Sequence, residues 1–180
     1  MKIELKNIRH FFALTDETNA FSANLYINNI LVAGCSDTGK GGCIDIRAVK
    51  GKETLLKEAG EYAKSLPPEI STIGDEEFEL KMDLEFYISQ LVNKDIAERE
   101  FKKAVKKNEK YNIVYGKDKE DLNITWYETK DGKKVLITDI LSQPKSVQKL
   151  ADYIAELKQE GNIIFNTNIP RGLIDKSPKK

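Results

Sequence analysis

The sequence predicts an α+β fold, a mainly antiparallel sheet with an N-terminal three-stranded meander and about three helices packed on it. Apolar and polar residues alternate between residues 21 and 47, whereas apolar residues recur at steps of three and four in three later segments. The length of 180 residues suits one domain with a substantial core. We therefore expect a single domain over residues 1–169 and a basic, disordered tail over residues 170–180.

The meander is predicted from three short segments. The first has its apolar residues on one strand face, at Phe21, Ala23, Leu25 and Ile27. Asn28-Asn29 then favours a two-residue hairpin turn, because asparagine tolerates a positive φ angle. The apolar run 30–33 predicts the second strand, and the alternation resumes at 43–47 as the third.

The glycine-rich loop 37–42 lies between the second and third strands. Gly34 to Lys40 matches the first seven positions of a phosphate-binding P-loop and follows an apolar strand. The eighth position should supply a hydroxyl for magnesium, but it is Gly41. Strand-like spacing follows the loop where a helix should begin, so we do not expect a nucleotide triphosphatase.

Two interpretations of this loop stay open. Its glycines allow positive φ angles, so successive N–H groups could form a concave anion-binding nest beside Lys40. The ligand-binding residues would then be Asp37, Thr38, Gly39, Lys40, Gly41, Gly42 and Arg47. Alternatively, the glycines only form a wide turn or a bulge, which is the commoner use of such loops.

The hairpin, the loop and the start of a later helix share a combination of motifs. These are Phe21-Ser22-Ala23, Leu25-Tyr26-Ile27, Asp37, Gly39-Lys40-Gly41-Gly42 and Met82-Asp83-Leu84-Glu85. The combination resembles a group of small uncharacterised proteins of bacteriophages and mobile elements, which carry a hairpin followed by an Asn-Asp-Gly-Arg-Gly-Gly-like loop. Asp37, Thr38 and Lys40 depart from that pattern. The resemblance implies a phage-like origin, and no activity comes with it.

The first half of the chain is completed by one strand and one helix. The apolar residues of 3–8 predict a first strand, and we expect 11–14 to continue it as a buried segment. Residues 53–65 form an amphipathic helix, which Pro67-Pro68 ends because proline restricts the residue before it. We expect the acidic segment 70–79 to be a connection that packs over the surface.

The second half begins with a long helix that Asp83 caps and that extends to about Asn108. Lysines at its C-terminal end favour a solvated face that offsets the helix dipole, and the alternative is a phosphate-contacting patch. Further strands are predicted at 111–115, 123–128, 134–140 and 163–165, the middle pair joined at Asp131-Gly132, and a third helix at 144–160.

Composition limits the possible functions. Lys plus Arg and Asp plus Glu both number 29, so nucleic acid is a possible partner through a local patch but is not favoured. No apolar run of about 18 residues and no signal-peptide core is present, so we expect a cytoplasmic protein without a membrane partner. Cys35 and Cys43 are expected to be free thiols, and His10 to be a packed or surface residue rather than a catalyst. We expect no metal and no cofactor.

The resemblance, the small soluble format and the glycine-rich loop with Lys40 together imply a non-enzymatic, phage-like accessory protein. It would bind a host macromolecule or a phosphorylated small ligand, with inhibition of an antiviral defence as one role open to it. One alternative is a magnesium-dependent nuclease or phosphate-handling hydrolase that uses Asp37, Asp45 and Lys40. The other is a structural, virion-associated protein with an exposed Trp126 or Tyr127 in a subunit contact. The sequence leaves the ligand and the oligomeric state open.

Overall fold

The computed structural model describes residues 1–74 and 76–175. Within this part of the chain there are nine strands, all in antiparallel sheets, and five α-helices, which confirms the predicted α+β class. The chain divides into two compact units, Met1–Ile96 and Ala97–Lys180, which are described separately. The single domain over 1–169 stays a prediction. The predicted tail begins with a short helix, and residues 176–180 lie outside the described residues.

The N-terminal unit is built on a four-stranded antiparallel meander. Its strands pair in the order β1 (Ile3–His10), β2 (Phe21–Ile27), β3 (Ile30–Asp37) and β4 (Asp45–Ala48). The predicted three-stranded meander is therefore confirmed, and the first strand joins the same sheet. Asn28 and Asn29 have φ angles of 48° and 67°, as the tight turn between β2 and β3 requires.

Two helices cover the buried face of this sheet. α1 (Glu53–Lys64) and the first half of α2 (Leu84–Asn108) contribute Ala59, Ile88 and Val92 to the core that β2 and β3 build. The cap of α2 is confirmed, because the Phe86 N–H donates to the Asp83 carboxylate at 2.7 Å. α2 has 25 residues, yet no helix of the described chain is long and apolar enough to cross a membrane.

One expectation for the N-terminal half is wrong, and another missed two strands. Phe12–Leu14 form a 3-10 turn whose Phe12 and Leu14 side chains are 61% and 60% exposed, so they are not a buried continuation of β1. The segment predicted as a surface connection contains two paired strands, β5 (Glu69–Ile73) and β6 (Glu76–Leu80). Backbone pairing forms this hairpin, and Ile70 on β5 is 56% exposed.

The C-terminal unit contains a three-stranded antiparallel sheet and three further helices. The strand order is β8 (Asn123–Trp126), β7 (Asn112–Gly116) and β9 (Ile163–Ile164). The helices are α3 (Ile137–Leu141), α4 (Pro144–Gln159) and α5 (Arg171–Ile174). The core of this unit combines the apolar faces of α3 and α4 with β7, through Ile113, Ile137, Ile140, Leu150, Ile154 and Leu157.

The predicted strand 134–140 is wrong. Across the Asp131-Gly132 turn, Glu128 and Lys134 form an isolated antiparallel bridge and not a continuous strand pair. The chain then forms α3 from Ile137 onward. Ile137 and Ile140 are three positions apart and are both buried on one face of that helix. Burial of both side chains therefore favours a helix over a strand in this segment. Trp126 is 41% exposed, and the adjacent Tyr127 is half-buried.

A buried carboxylate fixes the end of α2 within the C-terminal unit. Glu109 is 3% exposed, and its carboxylate accepts hydrogen bonds from Lys106 Nζ at 2.7 Å, from the Thr167 N–H at 2.8 Å and from Thr167 Oγ1 at 2.7 Å. Burial by itself would raise the pKa of Glu109, but the bonds from Lys106 and Thr167 outweigh it, and the pKa lies below the ordinary value.

A buried amide side chain lies beside this carboxylate. Asn166 is fully buried, accepts from the Val114 N–H at 2.6 Å, and donates to the Asn112 carbonyl at 3.0 Å and to Asn168 Oδ1 at 2.9 Å. The segment after β9 is thereby joined to β7 by side-chain bonds beyond the short strand pairing.

Candidate functional site

The glycine-rich loop is held by bonds to its own chain. The Asp37 carboxylate accepts from the Gly39 N–H at 2.7 Å and from Thr18 Oγ1 at 3.0 Å. Thr18 Oγ1 also accepts from the Gly41 N–H at 3.3 Å. Two of the N–H groups that an anion nest would use therefore already have acceptors within the protein.

Gly39 is required by the geometry of this loop. Its φ angle is 85°, and its carbonyl oxygen accepts from the N–H groups of Asp16, Glu17 and Thr18 at 3.0, 3.0 and 3.3 Å. A Cβ atom at this position would lie 2.3 Å from the Leu14 carbonyl oxygen. Gly39 thus allows segment 16–18 to pack against the loop through hydrogen bonds to its carbonyl oxygen. After the loop the chain forms the strand β4, whereas a P-loop is followed by a helix.

Beside the loop lies a cleft of about 460 Å³, which we call the acidic cleft. The segment 17–19, the glycine-rich loop and the first turns of α2 enclose it. Its lining residues are Glu17, Thr18, Asn19, Phe21, Asp37, Gly42, Ile44, Asp83, Glu85, Phe86, Ser89, Val92 and Asn93. Its size is within the range of ligand-binding pockets in proteins.

Four carboxylate side chains give this cleft its charge, and they belong to Glu17, Asp37, Asp83 and Glu85. Their bonded partners in the described chain are neutral groups, for example the Ile44 N–H, which donates to Glu85 Oε2 at 3.2 Å. Among the described residues that line the cleft there is no lysine, arginine or histidine. The acidic cleft therefore carries a negative potential that no cation of the lining offsets.

The cleft also has an apolar floor. Phe21, Ile44 and Val92 are 2%, 8% and 1% exposed, and the half-buried ring of Phe86 lies among the lining residues. A side-chain bond from Asn19 Nδ2 to Asn93 Oδ1, at 2.8 Å, joins two polar lining residues of different segments. An apolar floor below a polar, charged rim is typical of sites for amphipathic cationic groups.

The predicted ligand-binding residues are only partly brought to this site. Asp37 and Gly42 line the acidic cleft, whereas Thr38, Gly39, Lys40 and Gly41 are not among its lining residues. Arg47 lies on β4, with its side chain 83% exposed, and pairs with Asp45 at 2.6 Å.

The sequence analysis missed the contributions of segment 17–19 and of α2. The sequence gives no signal for Glu17, and Asp83 is predicted only as a helix cap. The cap signal at Asp83 located the start of α2, but no local pattern indicates that this helix end lies beside the glycine-rich loop. These residues come together only through long-range packing of the sheet and α2.

His10 is a packed residue. Its side chain is 3% exposed, its Nε2 lies 2.7 Å from Asp95 Oδ2, and its ring stacks on Phe12 with centroids 5.6 Å apart. The described residues contain no group of three or more His, Cys, Asp or Glu side chains placed to hold a metal ion. Cys35 and Cys43 are free thiols, as expected, the first buried and the second exposed.

Comparison with known proteins provides no relative from which a role could be transferred. No family model, no curated protein and no solved structure matches the chain significantly.

Proposed function

We propose that the protein is a binding protein, not an enzyme, and that its acidic cleft receives an arginine-bearing segment of a partner protein. The observation that supports this most strongly is the set of four lining carboxylates without a basic lining residue. Such carboxylates favour a cation, and a guanidinium offers them five N–H donors in a fixed planar arrangement. The resemblance to phage and mobile-element proteins extends the proposal to a host protein as the partner.

The apolar floor favours arginine over lysine. A guanidinium is weakly hydrated and stacks on aromatic rings, so it loses little on entering a cleft that contains the Phe86 ring and the Ile44 and Val92 side chains. An ammonium group is more strongly hydrated and bonds as a point charge.

A phosphorylated ligand is less well supported as the occupant. It would meet four carboxylates, and the N–H groups of Gly39 and Gly41 already donate to Asp37 and Thr18. An anion would have to displace these internal bonds against the negative potential of the cleft.

The experiment is a fluorescence-anisotropy titration of the full chain with a short, labelled peptide in which arginines alternate with glycine and serine. The same peptide with citrulline at every arginine position is the ligand control, because citrulline keeps the shape and removes the charge. We expect the arginine peptide to bind and the citrulline peptide not to bind. Equal affinity for both peptides, or no binding of either at low ionic strength, would refute the proposal.

Protein variants connect the binding to the cleft. Glu17→Gln with Glu85→Gln removes two charges, and glutamine at position 85 can still accept from the Ile44 N–H. Partly exposed ion pairs contribute about 0.5–1 kcal/mol each, so we expect the double variant to bind about tenfold more weakly. Glu58→Gln with Glu61→Gln, at exposed positions of α1 outside the cleft lining, removes the same number of charges and should bind like the wild type. Wild-type affinity in the first double variant would contradict the assignment to this site.

A further inference from the structure

A second concave surface lies in the C-terminal unit. We call it the lysine groove, and it has a volume of about 540 Å³. Its floor is apolar: the rings of Phe101 and Phe165 meet edge to face with centroids 4.9 Å apart, and the Val105 side chain lies among the lining residues at 3% exposure. Both rings are only half-buried, and Lys119 Nζ lies over the Phe101 ring, 5.8 Å from its centroid, so an apolar group of a partner would enter beside this lysine.

Four lysines line the rim of this groove, and they are Lys102, Lys103, Lys106 and Lys119. Lys102 pairs with Glu98 at 2.8 Å, and Lys106 pairs with Glu109 at 2.7 Å. Within the described part of the chain, Lys103 and Lys119 have no carboxylate partner, and no acidic residue is among the lining residues. The rim therefore offers unneutralised positive charge around an apolar floor.

We infer that the lysine groove docks an acidic peptide segment that carries a hydrophobic anchor residue. The anchor would bury apolar surface against Phe101 and Phe165, and carboxylates beside it would pair with Lys103 and Lys119. An apolar anchor in a pocket with a charged rim is the usual arrangement of protein–peptide contacts, since the anchor provides affinity and the rim selects the partner.

A single-stranded nucleic acid fits this groove less well. Its bases bind by stacking on open ring faces, but the edge of one phenylalanine meets the face of the other, with an interplanar angle of 89°. The chain has no net charge, so it has no overall positive field to attract a polyanion. The acidic peptide uses both the apolar floor and the lysines.

The test is a fluorescence-polarisation titration of the full chain with a labelled peptide that has central leucines flanked by aspartate and glutamate. Two control peptides replace either the leucines by glycine or the acidic residues by their amides. We expect the first peptide to bind and each replacement to weaken binding about tenfold or more, because floor and rim act together. Labelled oligothymidylate is measured in parallel, and tighter binding of it than of the acidic peptide would overturn the inference.

Charge reversal on the protein locates the contact. Lys103→Glu with Lys119→Glu should lower the affinity for the acidic peptide at least about tenfold, since it replaces attraction by repulsion at exposed positions. Lys130→Glu with Lys145→Glu changes the net charge of the chain equally at exposed positions outside the groove, and we expect an effect within about twofold. Equal losses in both double variants would show nonspecific attraction and would overturn the inference, as would binding of no peptide at low salt.

Discussion

The buried carboxylate of Glu109 gives the most direct test of how the C-terminal unit is held together. Glu109→Gln keeps the shape of the side chain but removes its charge. Hydrogen bonds to a charged group contribute about 1.5–3 kcal/mol and neutral ones about 1 kcal/mol. The Lys106 side chain is 76% exposed, so water weakens the contribution of its ion pair with Glu109. The two hydrogen bonds from Thr167 go to the buried Oε2 atom of Glu109 and therefore contribute more. We expect a loss of about 2 kcal/mol in the free energy of unfolding.

The pH dependence of this loss identifies its electrostatic origin. The pKa of Glu109 is lowered in the folded protein, so its carboxylate contributes its full stability above the ordinary glutamate value of 4.5. That contribution disappears as the pH falls through the lowered value of the folded state. The difference between wild type and Glu109→Gln should therefore be constant near neutral pH and shrink below about pH 4.5.

The assay is urea unfolding at a series of pH values, with the free energies obtained by linear extrapolation. Glu100→Gln is the matched control, because Glu100 is an exposed carboxylate on the same helix, and it should change the stability by less than about 0.5 kcal/mol. If Glu109→Gln were as stable as the control at neutral pH, or its deficit persisted unchanged in acid, the proposed role of the charge would be wrong.

Three further predictions follow from other parts of the fold. Gly39→Ala should lower the free energy of unfolding, measured by heat or urea, by about 3 kcal/mol, because its Cβ would lie 2.3 Å from a backbone carbonyl oxygen. Gly42→Ala has open space around its Cβ and should stay within about 0.5 kcal/mol of the wild type. In the native protein a thiol reagent should modify the exposed Cys43 and spare the buried Cys35. Burial, reinforced by the charge of Asp45, raises the pKa of Cys35 to about 12. Equal labelling of both cysteines in mass spectrometry would contradict this. Asn166→Ala removes three hydrogen bonds, two of them buried, and should destabilise the protein by about 3 kcal/mol in urea. A wild-type unfolding midpoint would argue against that network.

The elements that the sequence predicts well are those specified by neighbouring residues. The alternation of β2 sets which residues are buried, the Asn28-Asn29 turn needs two positive φ angles, and Asp83 caps α2 through a bond to a residue three positions later. Each of these signals is complete within a short segment. Tertiary packing strengthens them but does not change their outcome.

The segments that sequence reasoning misassigned lack such a local signal. Residues 134–140 contain apolar residues consistent with either a strand or a helix, and burial of Ile137 and Ile140 decides for α3. The hairpin of β5 and β6 has a composition typical of solvated loops, since glutamates occupy several of its positions. Its strands are held by backbone pairing, which composition does not reveal.

The candidate sites show why a net charge of zero says little about binding. The formal charges of the whole chain cancel, which argues only against a field that extends over the whole protein. Locally, four carboxylates line the acidic cleft and four lysines line the lysine groove, so each of these surfaces has a charge of its own. The binding proposed for each surface relies on short-range charge pairs and on the apolar floor beneath them. Substitutions that keep the net charge constant can still change binding, whereas a charge altered elsewhere on the surface has little effect.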